Sequence, residues 1–208
     1  MNGPAPVRMA WILGWALPET WFASLVRDAF PQAQHTYIAS SPRTWHEVAA
    51  AGQLDWMTGY SLGAHLLLRE GLGHPASTRV ALLAPIFAFA REEDAGGRIA
   101  GAQVQYLARW LRRDRPAALA DFYQRAGLEL RPEQIADVTL EDLAWGLSQL
   151  AHERARPRVP PNWRAWCGAD DPLLDAAKLH ALAPGVDVVP GATHHPRALL
   201  RAMAKAIA

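Results

Sequence analysis

At 208 residues, half of them apolar and a fifth charged, the chain has the length and balance of one ordinary globular domain. That excludes a disordered segment, a collagen-like repeat and a coiled coil. With 21 basic against 20 acidic residues the formal net charge is +1, so no global field draws the protein to nucleic acid or membrane. The single cysteine, Cys167, has no partner in the chain for a disulfide, which fits a reducing compartment.

The first element needs separating from a leader. Arg8 followed by the apolar run Met9–Leu17 has the outline of a signal peptide. The run is too short to span a bilayer and leads into Pro18-Glu19-Thr20-Trp21, a helix start. It reads as a buried strand and turn, and the expected compartment is the cytoplasm.

Apolar runs then alternate with helical patterns, the signature of βαβ units around a mostly parallel sheet. In chain order the predicted elements are strand Arg8–Leu13, helix Pro18–Phe30, strand Gln34–Ile38, strand Leu54–Thr58, helix Leu62–Gly71 and strand Arg79–Leu83. After a break come strand Asn162–Cys167, helix Asp175–Leu182, strand Val186–Val189 and helix Pro196–Ile207, with Leu199, Leu200, Met203 and Ile207 on one stripe. Between Ile86 and Pro161 only helical pattern appears, as Gly101–Arg112, Pro116–Ala126 and Leu140–His152, and Pro157, Pro160 and Pro161 close the block. The expected organisation is an α/β core of residues 1–85 and 162–208 with an all-helical insertion, 86–161, lying over the site as a lid.

Gly59-Tyr60-Ser61-Leu62-Gly63 is a G-x-S-x-G pentapeptide that follows an apolar strand and opens a helix. That setting is what a nucleophile elbow requires: a sharp turn exposes the Ser61 hydroxyl beside a helix N-terminus, and the flanking glycines let strand and helix approach. The competing reading is a glycine-rich loop with an incidental serine. A hydroxyl needs a base to take its proton and a carboxylate to orient that base. Candidates stand after the last two strands, in Gly168-Ala169-Asp170-Asp171-Pro172 and in Gly191-Ala192-Thr193-His194-His195-Pro196. Strand ends at the carboxyl edge of a parallel sheet are where such a site collects.

Other residues carry weaker signals. His65, one turn beyond Ser61, reads as a buried structural histidine, and Cys167 as core rather than nucleophile. The adjacent His194 and His195 have no further ligands at suitable spacing, so no metal site is expected. Arg109, Arg112 and Arg113, with Arg115 close by, share a helix face that is either simply solvated or a docking patch for an acidic partner such as an acyl carrier protein. Trp110, Phe122, Tyr123 and Trp145, with Phe87 and Phe89, either line an acyl channel or pack the inserted helices on one another.

Gly-Tyr-Ser-Leu-Gly, the Gly-x-x-Asp-Pro turn and the Gly-x-x-His-x-Pro turn together resemble an α/β-hydrolase. Within that superfamily, Leu13-Gly14-Trp15-Ala16 with Tyr60-Ser61-Leu62-Gly63 is similar to the pimeloyl-acyl carrier protein methyl ester esterases of biotin synthesis, which carry a Gly-Trp-Gly turn and a Trp-Ser-Leu-Gly-Gly elbow. The resemblance implies Asp171 rather than Asp170 as the acid and His194 rather than His195 as the base, each three residues after its glycine. It also implies an oxyanion hole from the backbone N–H groups of Trp15 and Leu62. Two positions depart from the pattern. The usual His-Gly is Leu13-Gly14 here, and the antiparallel strands that usually come first are missing, so about six strands are expected. The implied activity is that of a cofactor-free serine carboxylesterase acting on an acyl-chain ester, with pimeloyl-acyl carrier protein methyl ester the first candidate. The alternatives are a thioesterase, a general short-chain esterase, or a non-catalytic module that keeps the pocket.

Overall fold

The structure, a computed structural model, describes residues 5–70, 78–135 and 138–207. Six strands, β1 (Arg8–Ile12), β2 (Gln34–Ile38), β3 (Trp56–Tyr60), β4 (Arg79–Leu83), β5 (Trp163–Gly168) and β6 (Val186–Val189), form one sheet in the order β2-β1-β3-β4-β5-β6. Every pairing is parallel. The inner strands are apolar on both sides, as in Ala10-Trp11-Ile12 and Val80-Ala81-Leu82-Leu83, because helices cover both faces of a parallel sheet. The edge strands are more open: β2 exposes alternate residues, and β6 exposes Asp187 and Val188.

The helices are α1 (Glu19–Ala29), α2 (Thr44–Ala50), α3 (Leu62–Glu70), α4 (Gly101–Arg113), α5 (Arg115–Ala126), α6 (Leu140–His152), α7 (Ala176–Leu182) and α8 (Pro196–Ile207). α8 packs its Leu199–Leu200–Met203 stripe across β4 and β5 and touches α1. The predicted end of the third helix at Gly71 lies outside the described residues. α2 has no counterpart among the predicted elements; it is one short helix of seven residues begun by an Ser41–Thr44 hydrogen-bonded turn.

β3 runs two residues later than predicted. Gly59 and Tyr60 pair with Leu82 and Leu83, so the strand continues into the elbow instead of stopping at Thr58. Only the ends differ; Trp56, Met57 and Thr58 are strand residues in both, so the expectation of a buried strand before the elbow stands.

Between β4 and β5 the described residues hold α4, α5, α6 and two short 3₁₀ turns, Arg91–Glu93 and Pro132–Ile135. α4 packs on both α5 and α6, and α6 reaches down to α3. Leu111, Leu119, Tyr123, Leu143 and Leu147 from these helices belong to the same buried cluster as the sheet residues.

The chain moves from β1 outward to β2, then crosses back to β3 and onward. The carboxyl ends of β1 and β3 therefore flank the point where strand order reverses, which is where open α/β sheets hold ligands.

Candidate active site

Ser61 stands at that reversal point, between the end of β3 and the start of α3. Its φ is +54°, in the left-handed region that a residue with a side chain occupies only when its surroundings force it. The surroundings are explicit. The Ser61 N–H donates to the Leu83 carbonyl at 2.8 Å, and the Ser61 carbonyl accepts from His65 at 3.0 Å. A Cβ on Gly59 would lie 2.5 Å from the Gly63 oxygen, and one on Gly63 only 2.1 Å from the Ile12 oxygen. The elbow thus needs both glycines for close approach of strand to helix, not for their φ.

The loops after β5 and β6 bring two further groups to the hydroxyl. His194 Nε2 lies 3.1 Å from Ser61 Oγ, and His194 Nδ1 lies 2.7 Å from Asp171 Oδ2. A carboxylate only accepts, so Nδ1 carries the proton and Nε2 is left to accept from the serine. The second oxygen, Asp171 Oδ1, accepts the N–H groups of Leu173 at 2.8 Å and Leu174 at 3.0 Å. Arg98 donates to the Asp171 carbonyl at 3.2 Å. Asp171 is fully buried and His194 is 1% exposed, so water does not compete for this chain of bonds. The two loops are also tied to each other, Asp170 N–H donating to the Ala192 carbonyl at 2.9 Å.

The paired candidates are separated clearly. Asp170 points to solvent, while Asp171 lies beneath His194. His195 is half-buried against Trp21, ring centroids 5.3 Å apart, and its Nδ1 accepts the Arg197 N–H at the start of α8. Cys167 is buried at the end of β5, and burial raises its thiol pKa far above that of a reactive thiolate. His65 is fully buried; its Nδ1–H donates to the Ile86 carbonyl at 2.9 Å, and burial holds its pKa down at about 4.

The loop after β1 lies beside the serine. Leu13, where a histidine was usual in the resembling family, donates its N–H to Ile38 and receives the Ser40 hydroxyl on its carbonyl. Trp15 is 4% exposed, its indole N–H donating to the Leu143 carbonyl of α6 at 2.8 Å. Leu62 is the first residue of α3, so its N–H has no partner within the helix.

A cavity of about 310 Å³ opens among α4, α5 and α6, walled by Phe89, Leu107, Trp110, Phe122 and Leu147. It reaches Leu173, whose N–H is on Asp171. Of the aromatic residues expected along an acyl channel, Phe89, Trp110 and Phe122 line it. Phe87 is fully buried in the core, Trp145 packs partly buried against that core outside the lining, and Tyr123 is buried with its hydroxyl on the Ala16 carbonyl at 2.7 Å. Phe87 and Tyr123 thus belong to the buried core, and Trp145 packs against it. Arg109, Arg112 and Arg113 are exposed on α4 with no ion-pair partner among the described residues. Among the described residues no three His, Cys, Asp or Glu side chains gather as metal ligands, and no helix is long and apolar enough to cross a membrane.

Sequence reasoning missed Tyr60, Arg98 and Ser40. The first signal was in view, since Tyr60 adjoins the nucleophile; the other two act across distances in sequence that no motif records.

No family model and no curated protein sequence matches the chain. Solved structures do. An esterase from Exiguobacterium antarcticum superposes with a TM-score of 0.77 at 14% identity, over 98% of this chain and 91% of that one. The carboxylesterase CesB from Bacillus subtilis gives 0.59 at 13% identity, over 99% and 84%. An alpha/beta hydrolase from Sphaerobacter thermophilus gives 0.57 at 17% identity, over 97% and 92%. With its all-parallel six-stranded sheet and elbow, the chain has the α/β-hydrolase fold.

Proposed function

We propose that the protein is a serine hydrolase of carboxylic esters. The observation that carries this reading is the unbroken chain Ser61–His194–Asp171 at the reversal point of the sheet. Ser61 Oγ attacks the ester carbonyl as its proton passes to His194 Nε2. The Trp15 and Leu62 N–H groups receive the charge that develops on the carbonyl oxygen. His194 returns the proton to the departing alcohol, Asp171 holding the imidazolium meanwhile. A water, giving its proton to His194, then cleaves the acyl-enzyme, and the acid leaves as Ser61 regains its proton. No cofactor takes part in these steps.

The substrate reading is finer. The apolar walls of the cavity suit an acyl chain, and α4, α5 and α6 act as the lid above it. Exposed Arg109, Arg112 and Arg113 suit an acidic carrier, and the turn and elbow resemble those of pimeloyl-acyl carrier protein methyl ester esterases. The proposed substrate is therefore an acyl-chain methyl ester on a carrier protein, met in the cytoplasm.

A fluorophosphonate probe tests the chemistry, since only an activated serine is labelled. Stoichiometric labelling lost in Ser61→Ala, with p-nitrophenyl ester hydrolysis lost in parallel, is the expected result. An unlabelled folded protein would leave a binding module instead. Growth of a biotin auxotroph lacking its methyl esterase tests the substrate, and failure to grow, with ester activity intact, returns the protein to general esterases.

A further inference from the structure

Two different inserted helices grip one short loop. Tyr123 of α5 donates its hydroxyl to the Ala16 carbonyl at 2.7 Å, and α6 accepts the Trp15 indole N–H on the Leu143 carbonyl at 2.8 Å. Both contacts are buried, and the partners lie 107 and 128 residues apart in sequence. Phe122 of α5 adds an edge-to-face contact on the Trp15 indole, ring centroids 4.6 Å apart.

The gripped loop is not relaxed. Ala16 has φ of +56°, a left-handed conformation that costs an alanine energy and persists only where its neighbours enforce it. The α6 backbone comes so near at Gly146 that a Cβ there would lie 2.5 Å from Trp15 Cδ1 and 3.1 Å from Leu62 Cδ2. The inserted helices therefore press on both residues whose N–H groups would face the oxyanion.

We infer that α5 and α6 hold the oxyanion hole in its working shape, with Tyr123 and Gly146 as positioning residues. This rests on the serine-hydrolase reading above. The helices cover the site and also complete it. If they lift, Trp15 loses its indole partner and Ala16 its carbonyl partner, so the loop can relax and the Trp15 N–H swings off target. An open enzyme would then keep its Ser61–His194–Asp171 chain yet turn over poorly, which protects against hydrolysis before substrate is enclosed.

Tyr123→Phe removes only the hydroxyl, and Gly146→Ala adds one methyl under Trp15 while raising the intrinsic helix propensity of α6. With p-nitrophenyl acetate, each is expected to lose tenfold or more in kcat, KM staying within twofold. Affinity for a trifluoromethyl ketone, whose adduct carries the oxyanion, should fall in step with kcat. The midpoint of the pH profile should not move, because the base and its acid are untouched. A merely structural role would leave the folded fraction active with all four quantities as in wild type. If either variant does not fold, the other decides. A folded variant with kcat within twofold of wild type, or with its loss in KM or in the pH midpoint, overturns the inference. Fluorophosphonate labelling of the wild type separates the two levels: labelling with normal variants sinks only the positioning role, and no labelling sinks the hydrolase reading beneath it.

Discussion

The Tyr60 hydroxyl donates to the main-chain carbonyl of His194 at 2.6 Å, so the residue before the nucleophile holds the backbone of the base. The rings also pack, centroids 5.5 Å apart. Tyr60 is 1% exposed, and burial, helped by the Asp171 charge, pushes its pKa well up, so the hydroxyl keeps its proton as a donor. β3 and the loop after β6 are thereby pinned together across 134 positions of sequence.

Tyr60→Phe leaves the buried His194 carbonyl without that donor. The expected stability loss is about 1–3 kcal/mol by urea unfolding. Loosening His194 should also lower kcat by about tenfold, since small misplacements of a catalytic group are costly. Steady-state kinetics checks it. Unchanged kcat in the variant would mean that the Asp171 bond alone orients the ring.

The loop register can be tested at both neighbouring pairs. Asp171→Asn should cost orders of magnitude in kcat, because the amide stabilises neither the Nδ1–H tautomer nor the imidazolium, whereas Asp170→Asn should stay within about twofold. His194→Ala should abolish turnover, and His195→Ala should chiefly cost stability through its lost Trp21 contact and α8 cap. Reversed severities would contradict the geometry after β5 and β6.

His65 links pH to stability. Neutral, it donates Nδ1–H to Ile86; its Nε2 is buried without a partner, and burial lowers its pKa from 6.5 to about 4. The folded form therefore binds this proton more weakly than the unfolded chain. Its contribution is fully present above pH 6.5 and is lost as pH falls toward 4. Its full size is about 3 kcal/mol. His65→Leu should flatten that part of the unfolding free-energy curve between pH 4 and 6.5, though its absolute stability falls through the unpaired Ile86 carbonyl. Identical slopes for both proteins would remove His65 as the cause. His35, also lowered chiefly by burial, adds a decline of the same sign in both proteins.

Legibility in the sequence followed contact distance. The strand–elbow–helix unit around Ser61 was readable because its signals are local: an apolar run, two glycines, then helical spacing. Six strands and the inserted helices followed from periodicity in the same way. The sequence ends β3 at Thr58 because Gly59 carries a turn signal, which its pairing with Leu82 overrides. Asp171 was not distinguishable from Asp170 by chemistry alone, and the Leu173 and Leu174 N–H groups that select it are set by how the turn folds. For Tyr123 and Phe87 the sequence leaves channel wall and core packing both open, because an aromatic side chain serves either equally well. Only the folded chain shows Tyr123 reaching the loop after β1.

The carrier-protein reading turns on charge. Arg109, Arg112 and Arg113 are exposed on α4, near Tyr106 and Trp110 at the cavity, without ion-pair partners among the described residues. An acidic carrier approaching that helix would be steered by them, and such steering acts mainly on encounter and is screened by salt. Arg109→Glu with Arg113→Glu should raise KM for a carrier-linked ester tenfold or more, about 1.4 kcal/mol where KM tracks dissociation. A small p-nitrophenyl ester never meets the patch, so its kinetics should stay near wild type. Raising salt should weaken wild-type turnover of the carrier-linked ester and leave the small ester unchanged. Equal losses on both substrates would mean that the arginines support the inserted helices. No loss on either would make them a solvated face, and the cavity would then serve free esters whose acyl chains arrive without a carrier.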